Sequence, residues 1–301
     1  MRKTFIIYSG ILIFLYLLLS WAGSHDEYQA EKKLWQLDAR LQQIDRDHLA
    51  VTEFAVEHLK RDYLALIQDN PFPGFTRKAN ISLARIYMLG KKYQRARELL
   101  ETLVQDGAAS LEVKMKALTE IIISYSLESD SEGIIKTYRR IMDLYPFTPE
   151  GINAPLMIAK FYSDNNQFDE ANESLDEAIE YYSKRLTQKL PSDTMFFILH
   201  KLVICYQAKK EWEDVFDVLN QIFEKYPDQV FKNIKTPDDI LQTVKSIALS
   251  TPENYESSGD LYQGFIERQA RHPLTKALQA SLIALEDFKE QKEEQEKESN
   301  K

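Results

Sequence analysis

Apolar residues recur every three or four positions along most of this chain, and short polar breaks interrupt them. Between Gly151 and Tyr182 one stripe is Ile152, Leu156, Ala159 and Tyr162, and a second is Phe168, Ala171, Leu175, Ala178 and Ile179. Each stripe predicts one face of an amphipathic helix. The break from Ser163 to Gln167 is short enough to fold the second helix back on the first, which predicts an αα-hairpin. Ala159, Ala171 and Ala178 stand on the packed faces, where small side chains let two helix axes approach and larger ones would overpack the contact.

The same pattern returns along the chain. Tyr162 has counterparts at Tyr87, Tyr125 and Tyr206, so the steps are 38, 37 and 44 residues. The long last step predicts about two extra helical turns, placed between Tyr181 and Leu190. Leu83, Ala84 and Tyr87 mark a first helix, with Gly90 in the turn, and Tyr93, Ala96 and Leu100 mark its partner. Tyr125 and Tyr138 keep their places in the next hairpin, although Ile122 and Ile134 replace small residues. Tyr206, Trp212 and Leu219 do so in the last, with Val203 and Val215 as the replacements. The pairs Tyr145-Pro146 and Tyr226-Pro227 end two of these hairpins, since proline does not continue a helix.

Upstream, residues 26–76 predict a further helical pair, either a divergent repeat or an N-terminal cap. Leu34, Trp35, Leu37, Leu41 and Ile44 mark one helix; Phe54, Leu59, Tyr63 and Leu66 mark the other. Downstream, residues 228–288 predict a divergent repeat and a capping helix from Leu274 to Phe288. A helix start is expected at Thr236, with Pro237 in the first turn. Residues 289–301 are nearly all charged or amide, a composition that predicts disorder.

Ala159, Tyr162, Phe168, Ala171 and Ala178 stand at the spacing of the tetratricopeptide signature, and the segment resembles a tetratricopeptide repeat. The period of that repeat is about 34 residues, and one copy does not bury its own apolar face, so neighbours are required. The resemblance implies an all-α fold, a superhelical solenoid of antiparallel helix pairs, with core repeats over residues 77–227. It also implies that the first helices of successive pairs line a concave groove for a protein or peptide partner. Residues of those helices that point away from the packed stripes are Lys78, Ile81, Arg85 and Met88, then Lys116 and Ile123. Leu156 and Lys160 follow, and then Phe197, His200 and Ile204. Apolar groups mixed with cations suit a peptide with apolar anchors and acidic groups. Tetratricopeptide domains that grip chaperone tails use a Lys/Asn/Arg clamp; Ile81 and Arg85 stand at matching positions, so that clamp is not reproduced.

The N-terminus adds a targeting element over residues 1–25. Arg2 and Lys3 precede the apolar run from Phe5 to Leu19, and Thr4 to Ser24 carries no charge. Two readings stand side by side. One is a transmembrane anchor through residues 4–24, for which about 20 apolar residues are needed. The other is a signal peptide cleaved after Ser20-Trp21-Ala22 or Ala22-Gly23-Ser24. Both place residues 26–301 outside the cytoplasm, as a membrane-anchored or periplasmic protein. In that layout the chain resembles tetratricopeptide proteins of the bacterial envelope.

Charge and chemistry then narrow the function. The net charge of −9 disfavours nucleic acid, which calls for a basic face. The single cysteine, Cys205, rules out an internal disulfide, and its apolar neighbours predict a buried thiol. The five histidines show no metal-ligand spacing, and no nucleophile motif or phosphate loop is present. No catalytic residue, cofactor site, metal site or small-molecule substrate is expected. The reading is a non-enzymatic interaction scaffold of the cell envelope; the alternative is a periplasmic chaperone-like module that holds exported polypeptides.

Overall fold

The structure is a computed structural model that describes residues 27–44 and 52–299. Among these residues every regular element is an α-helix. The chain divides into two compact units, the first reaching Thr137 and the second beginning at Tyr138.

The first unit holds α1 (residues 27–44), α2 (Glu53–Asp69), α3 (Pro73–Leu89), α4 (Tyr93–Gln105) and α5 (Leu111–Glu128). Thr52 and Ser110 start α2 and α5 by accepting hydrogen bonds from Ala55 N and Val113 N, which satisfies amides that a helix start leaves open. Ala30, Leu34, Leu37 and Leu41 of α1 bury against Val56, Leu59, Tyr63 and Leu66 of α2 and Phe75, Ala79, Leu83 and Ile86 of α3. The hydroxyl of Tyr63 donates to Asp38 at 2.6 Å, and burial raises its pKa.

The division falls inside α6 (Ser131–Leu144), and the second unit continues with α7 (Pro149–Asp164), α8 (Phe168–Leu186), α9 (Ser192–Lys209) and α10 (Trp212–Lys225). It ends with α11 (Pro227–Lys232), α12 (Ile240–Ala248), α13 (Pro252–Arg268) and α14 (Leu274–Ser299). In this unit α7 pairs with α8, α9 with α10 and α12 with α13, while α9 also packs on α7 and α12. The extra turns expected after Tyr181 belong to α8, which has 19 residues against 14 in α10. They carry Tyr182, whose hydroxyl donates to the Ile152 carbonyl at 2.6 Å and ties α8 to α7.

The hairpin turns repeat with the tyrosines. Lys91, Ser129, Asn166 and Lys210 each take the left-handed conformation, with φ between 56° and 61°. Each lies four residues after a repeat tyrosine, and the next amide donates back to that tyrosine's carbonyl. The distances are 2.8 Å to Tyr87, 2.9 Å to Tyr125, 2.9 Å to Tyr162 and 3.0 Å to Tyr206. This six-residue closure satisfies carbonyls at the end of the first helix and reverses the chain.

Two expectations are corrected. The helix start proposed at Thr236 is a turn, in which Asp238 N donates to Thr236 Oγ1 at 3.2 Å. The helix begins at Ile240, because Asp239 accepts from both Leu241 N and Lys235 N and so holds the cap position itself. The second correction concerns location. The expected membrane segment at residues 4–24 lies outside the described residues, and among the described ones no helix is long and apolar enough to cross a membrane. A location of residues 26–301 in the cell envelope therefore has no support in the structure.

Candidate functional site

In the first unit the candidate residues stand on α3 and α5. Ile81 and Met88 are buried, so their side chains belong to the packing of the unit. Lys78 is exposed and reaches Glu31 of α1 at 3.0 Å. Arg85 donates through Nε to Glu120 of α5 at 2.8 Å, and that carboxylate is only 3% exposed. Lys116 and Ile123 of α5 are exposed. On α4, Arg97 lies over the Tyr125 ring, 4.4 Å from its centroid, and pairs with Glu128. The polar groups between α3, α4 and α5 thus largely satisfy one another.

The second unit differs. Its α7 and α9, with the loop before α12, enclose a pocket of about 220 Å³. The apolar wall is Phe147, Pro149, Ile152 and Phe197; Asn153, Thr194, Asp193, Lys201 and Asp238 form the polar part. Local sequence explains the geometry. Thr148 caps α7 by accepting from Gly151 N at 3.0 Å, and Pro149 occupies the first turn, which brings Ile152 and Asn153 onto the wall. On α9, Phe197 and Lys201 are one turn apart, and Lys201 reaches Asp238 at 3.3 Å. Asp193 pairs with Lys232 at 3.1 Å. Both acids of the rim are therefore neutralised within the fold, whereas the side chains of Asn153 and Thr194 make no hydrogen bond to another described residue.

Of the remaining candidates, Leu156 and Ile204 are half-buried, and Lys160 is exposed beside Asp164 at 2.9 Å. Phe197 is half-buried and lines the pocket. His200 is buried, with Nε2 3.0 Å from Thr243 Oγ1 and Nδ1 without a partner among the described residues. Burial lowers its pKa to about 4, assisted by Lys201 and opposed by Asp238 and Asp239. Cys205 is buried, and burial pushes its thiol up to about 12, which keeps it protonated and unreactive. Sequence reasoning missed Phe147, Asn153, Lys201 and Asp238 at this place. The one available signal was the spacing of Phe197 and Lys201 by a single turn on one helix.

No group of three or more metal-ligating side chains occurs among the described residues. No family model matches the chain. Among curated proteins it is 23% identical over 174 residues to human RanBP2-like and GRIP domain-containing protein 3, covering 58% of this chain and 9% of the relative. RanBP2-like and GRIP domain-containing protein 4, also human, is 22% identical over the same shares. The chain thus spans about a tenth of the length of these relatives. Among solved structures it is similar to a tetratricopeptide repeat protein from Parabacteroides merdae, at 12% identity and a TM-score of 0.32, covering 84% of this chain and 99% of that one. It is also similar to BtubC (BKLC) from P. vanneervenii, at 11% identity and a TM-score of 0.40, covering 76% and 90%.

Proposed function

We propose that this chain is a non-enzymatic protein–protein interaction scaffold whose second unit grips a partner on the face formed by α7 and α9. The observation that carries this reading is the apolar pocket bounded by Phe147, Ile152 and Phe197 on that face, with both rim acids already paired. Apolar pockets with a few placed polar groups are the usual form of a binding site. An apolar cavity of about 150 Å³ holds benzene, so this one accommodates a single aromatic or branched side chain. The unengaged Asn153 and Thr194 then offer hydrogen bonds to the backbone on either side of that anchor. Such an anchor carries most of the binding energy of an interface.

The test is selection of a random-peptide display library on the full chain, repeated on Phe197→Ser. Peptides sharing one apolar anchor, and at least tenfold weaker on the variant, are expected. Selected peptides that bind the variant equally well would remove the pocket from the argument. Enrichment of unrelated sequences with no common anchor would favour the holding module instead.

A further inference from the structure

A second hollow lies elsewhere in the second unit. It is bounded by α12, α13 and α14, has a volume of about 210 Å³, and involves none of the residues of the first. It exists because α14 turns small side chains towards its neighbours. Ala280, Ser281 and Ala284 fall on one face of that helix, and none of them fills the space opposite Leu241 and Leu285. Those two leucines are buried and form an apolar wall. Tyr262 of α13 contributes to the lining, packed with its ring 6.0 Å from that of Phe223.

Three polar side chains line this space with no side-chain partner among the described residues. Tyr262 contributes its ring to the lining, whereas its hydroxyl is shielded from solvent, and so from the hollow, with no hydrogen-bond partner among the described residues. Gln242, Ser281 and Lys245 also line the hollow, and no side-chain hydrogen bond or ion pair joins them to another described residue. Lys245 is therefore an exposed cation with no ion pair to another described residue, beside the apolar wall of the hollow, on a chain whose net charge is −9.

We propose that this hollow is a binding site for a small apolar carboxylate. Its hydrocarbon body lies against Leu241, Leu285 and the alanines of α14, its carboxylate meets Lys245, and Gln242 and Ser281 supply hydrogen bonds. The charge selects an anion, and the volume selects a body of about the size of benzene. This site is independent of the peptide reading of α7 and α9.

Calorimetric titration of the full chain with 4-phenylbutyrate, and with its uncharged amide, tests it. The acid is expected to bind about threefold to fivefold more tightly than the amide, since the ion pair to exposed Lys245 is lost with the charge. Lys245→Met should remove that preference. Ala284→Leu, at an exposed position whose change does not disturb the core, should abolish binding by filling the hollow. Phe197→Ser should leave the titration unchanged. Absence of binding, equal binding of acid and amide, indifference to Ala284→Leu, or loss in Phe197→Ser would each overturn the proposal.

Discussion

Counting back nine residues from each hairpin tyrosine gives Lys78 and Lys116 in the first unit, but Asn153 and Phe197 in the second. Lys78 pairs with Glu31, whereas Asn153 and Phe197 line an apolar pocket. Counting back two gives Arg85 and Ile123 in the first unit, and Lys160 and Ile204 in the second. Arg85 meets the buried carboxylate of Glu120, whereas Ile204 is half-buried apolar surface. The hairpin is the same in both units, down to the left-handed turn four residues after each tyrosine. What differs is the chemistry at positions the hairpin does not need. In the first unit Lys78 and Arg85 tie α3 to α1 and α5; in the second Asn153 and Phe197 line a cavity. A repeat that fixes its backbone through tyrosine carbonyls is free to vary there, and the proposed binding site lies in that variation.

The largest expected effect asks whether the shared backbone is equally tight in the two units. A Cβ at Gly151 would overlap the carbonyl oxygen of Tyr145, which is backbone and has little freedom to move. A Cβ at Gly133 would overlap the Tyr125 ring, a side chain that can swing away at the expense of its contact with Arg97. Gly151→Ala should therefore cost about 3 kcal/mol or more, and Gly133→Ala about 1–2 kcal/mol. Chemical denaturation of both variants measures this, and equal losses would mean that the first turn of α7 is not held against Tyr145.

Next in size is an acid sensitivity specific to the second unit. At the position of buried Ile81 in the first unit stands His200, whose pKa burial depresses to about 4 from 6.5. Between those values the unfolded chain takes up a proton that the folded chain refuses. Stability contributed by the neutral imidazole is therefore present above pH 6.5 and is lost as the pH falls towards 4. By pH 4.5 the loss should reach about 2–3 kcal/mol. His200→Gln should flatten the stability curve over this window relative to wild type, and parallel curves would refute the assignment.

The helix pairs were legible because the spacing of Tyr87, Tyr125, Tyr162 and Tyr206 survives even where the small residues do not. The turns were not. Left-handed positions are usually read from glycine, and here Lys91, Ser129, Asn166 and Lys210 adopt them, while Gly90 sits at φ −79°. Of the residues expected to line a groove, Phe197 is half-buried and lines the pocket. Ile81, Met88 and His200 stand on the same faces but turn inward, because each helix packs on more than one neighbour and its buried arc is wider than one stripe. Phe147 and Asp238 were beyond reach, since they come from loops more than ninety residues apart and only tertiary packing brings them to one pocket.

A further variant probes the polar tie of the first unit. Arg85→Ala leaves the carboxylate of Glu120 nearly enclosed without its cation. Complete burial of both partners would cost about 3–5 kcal/mol; Arg85 is 42% exposed, so solvent reaches the pair and about 2 kcal/mol is expected. The counterpart in the second unit, Lys201→Met, frees Asp238, which is 34% exposed and can be hydrated, so a loss below about 1 kcal/mol follows. Comparable losses from the two variants in thermal unfolding would dissolve the distinction between a structural tie and a rim pair.

The smallest effect on stability is the sharpest on the comparison. Phe197→Lys restores to α9 the residue type that α3 and α5 carry nine positions before the tyrosine. Phe197 is half-buried, and its replacement has a long stem able to lie along the same wall with its ammonium in solvent. The unfolding midpoint should therefore move by less than about 1 kcal/mol in free energy. The pocket, however, would lose one aromatic wall and acquire a charge beside Lys201, so peptides selected on the native chain should bind at least tenfold more weakly. The reciprocal change, Lys78→Phe, removes only an exposed ion pair and should create no binding, because that position faces Glu31 of α1 rather than an apolar wall. Retained binding in Phe197→Lys would place the partner on another surface, and acquired binding in Lys78→Phe would show that the position alone, rather than the pocket around it, makes the site.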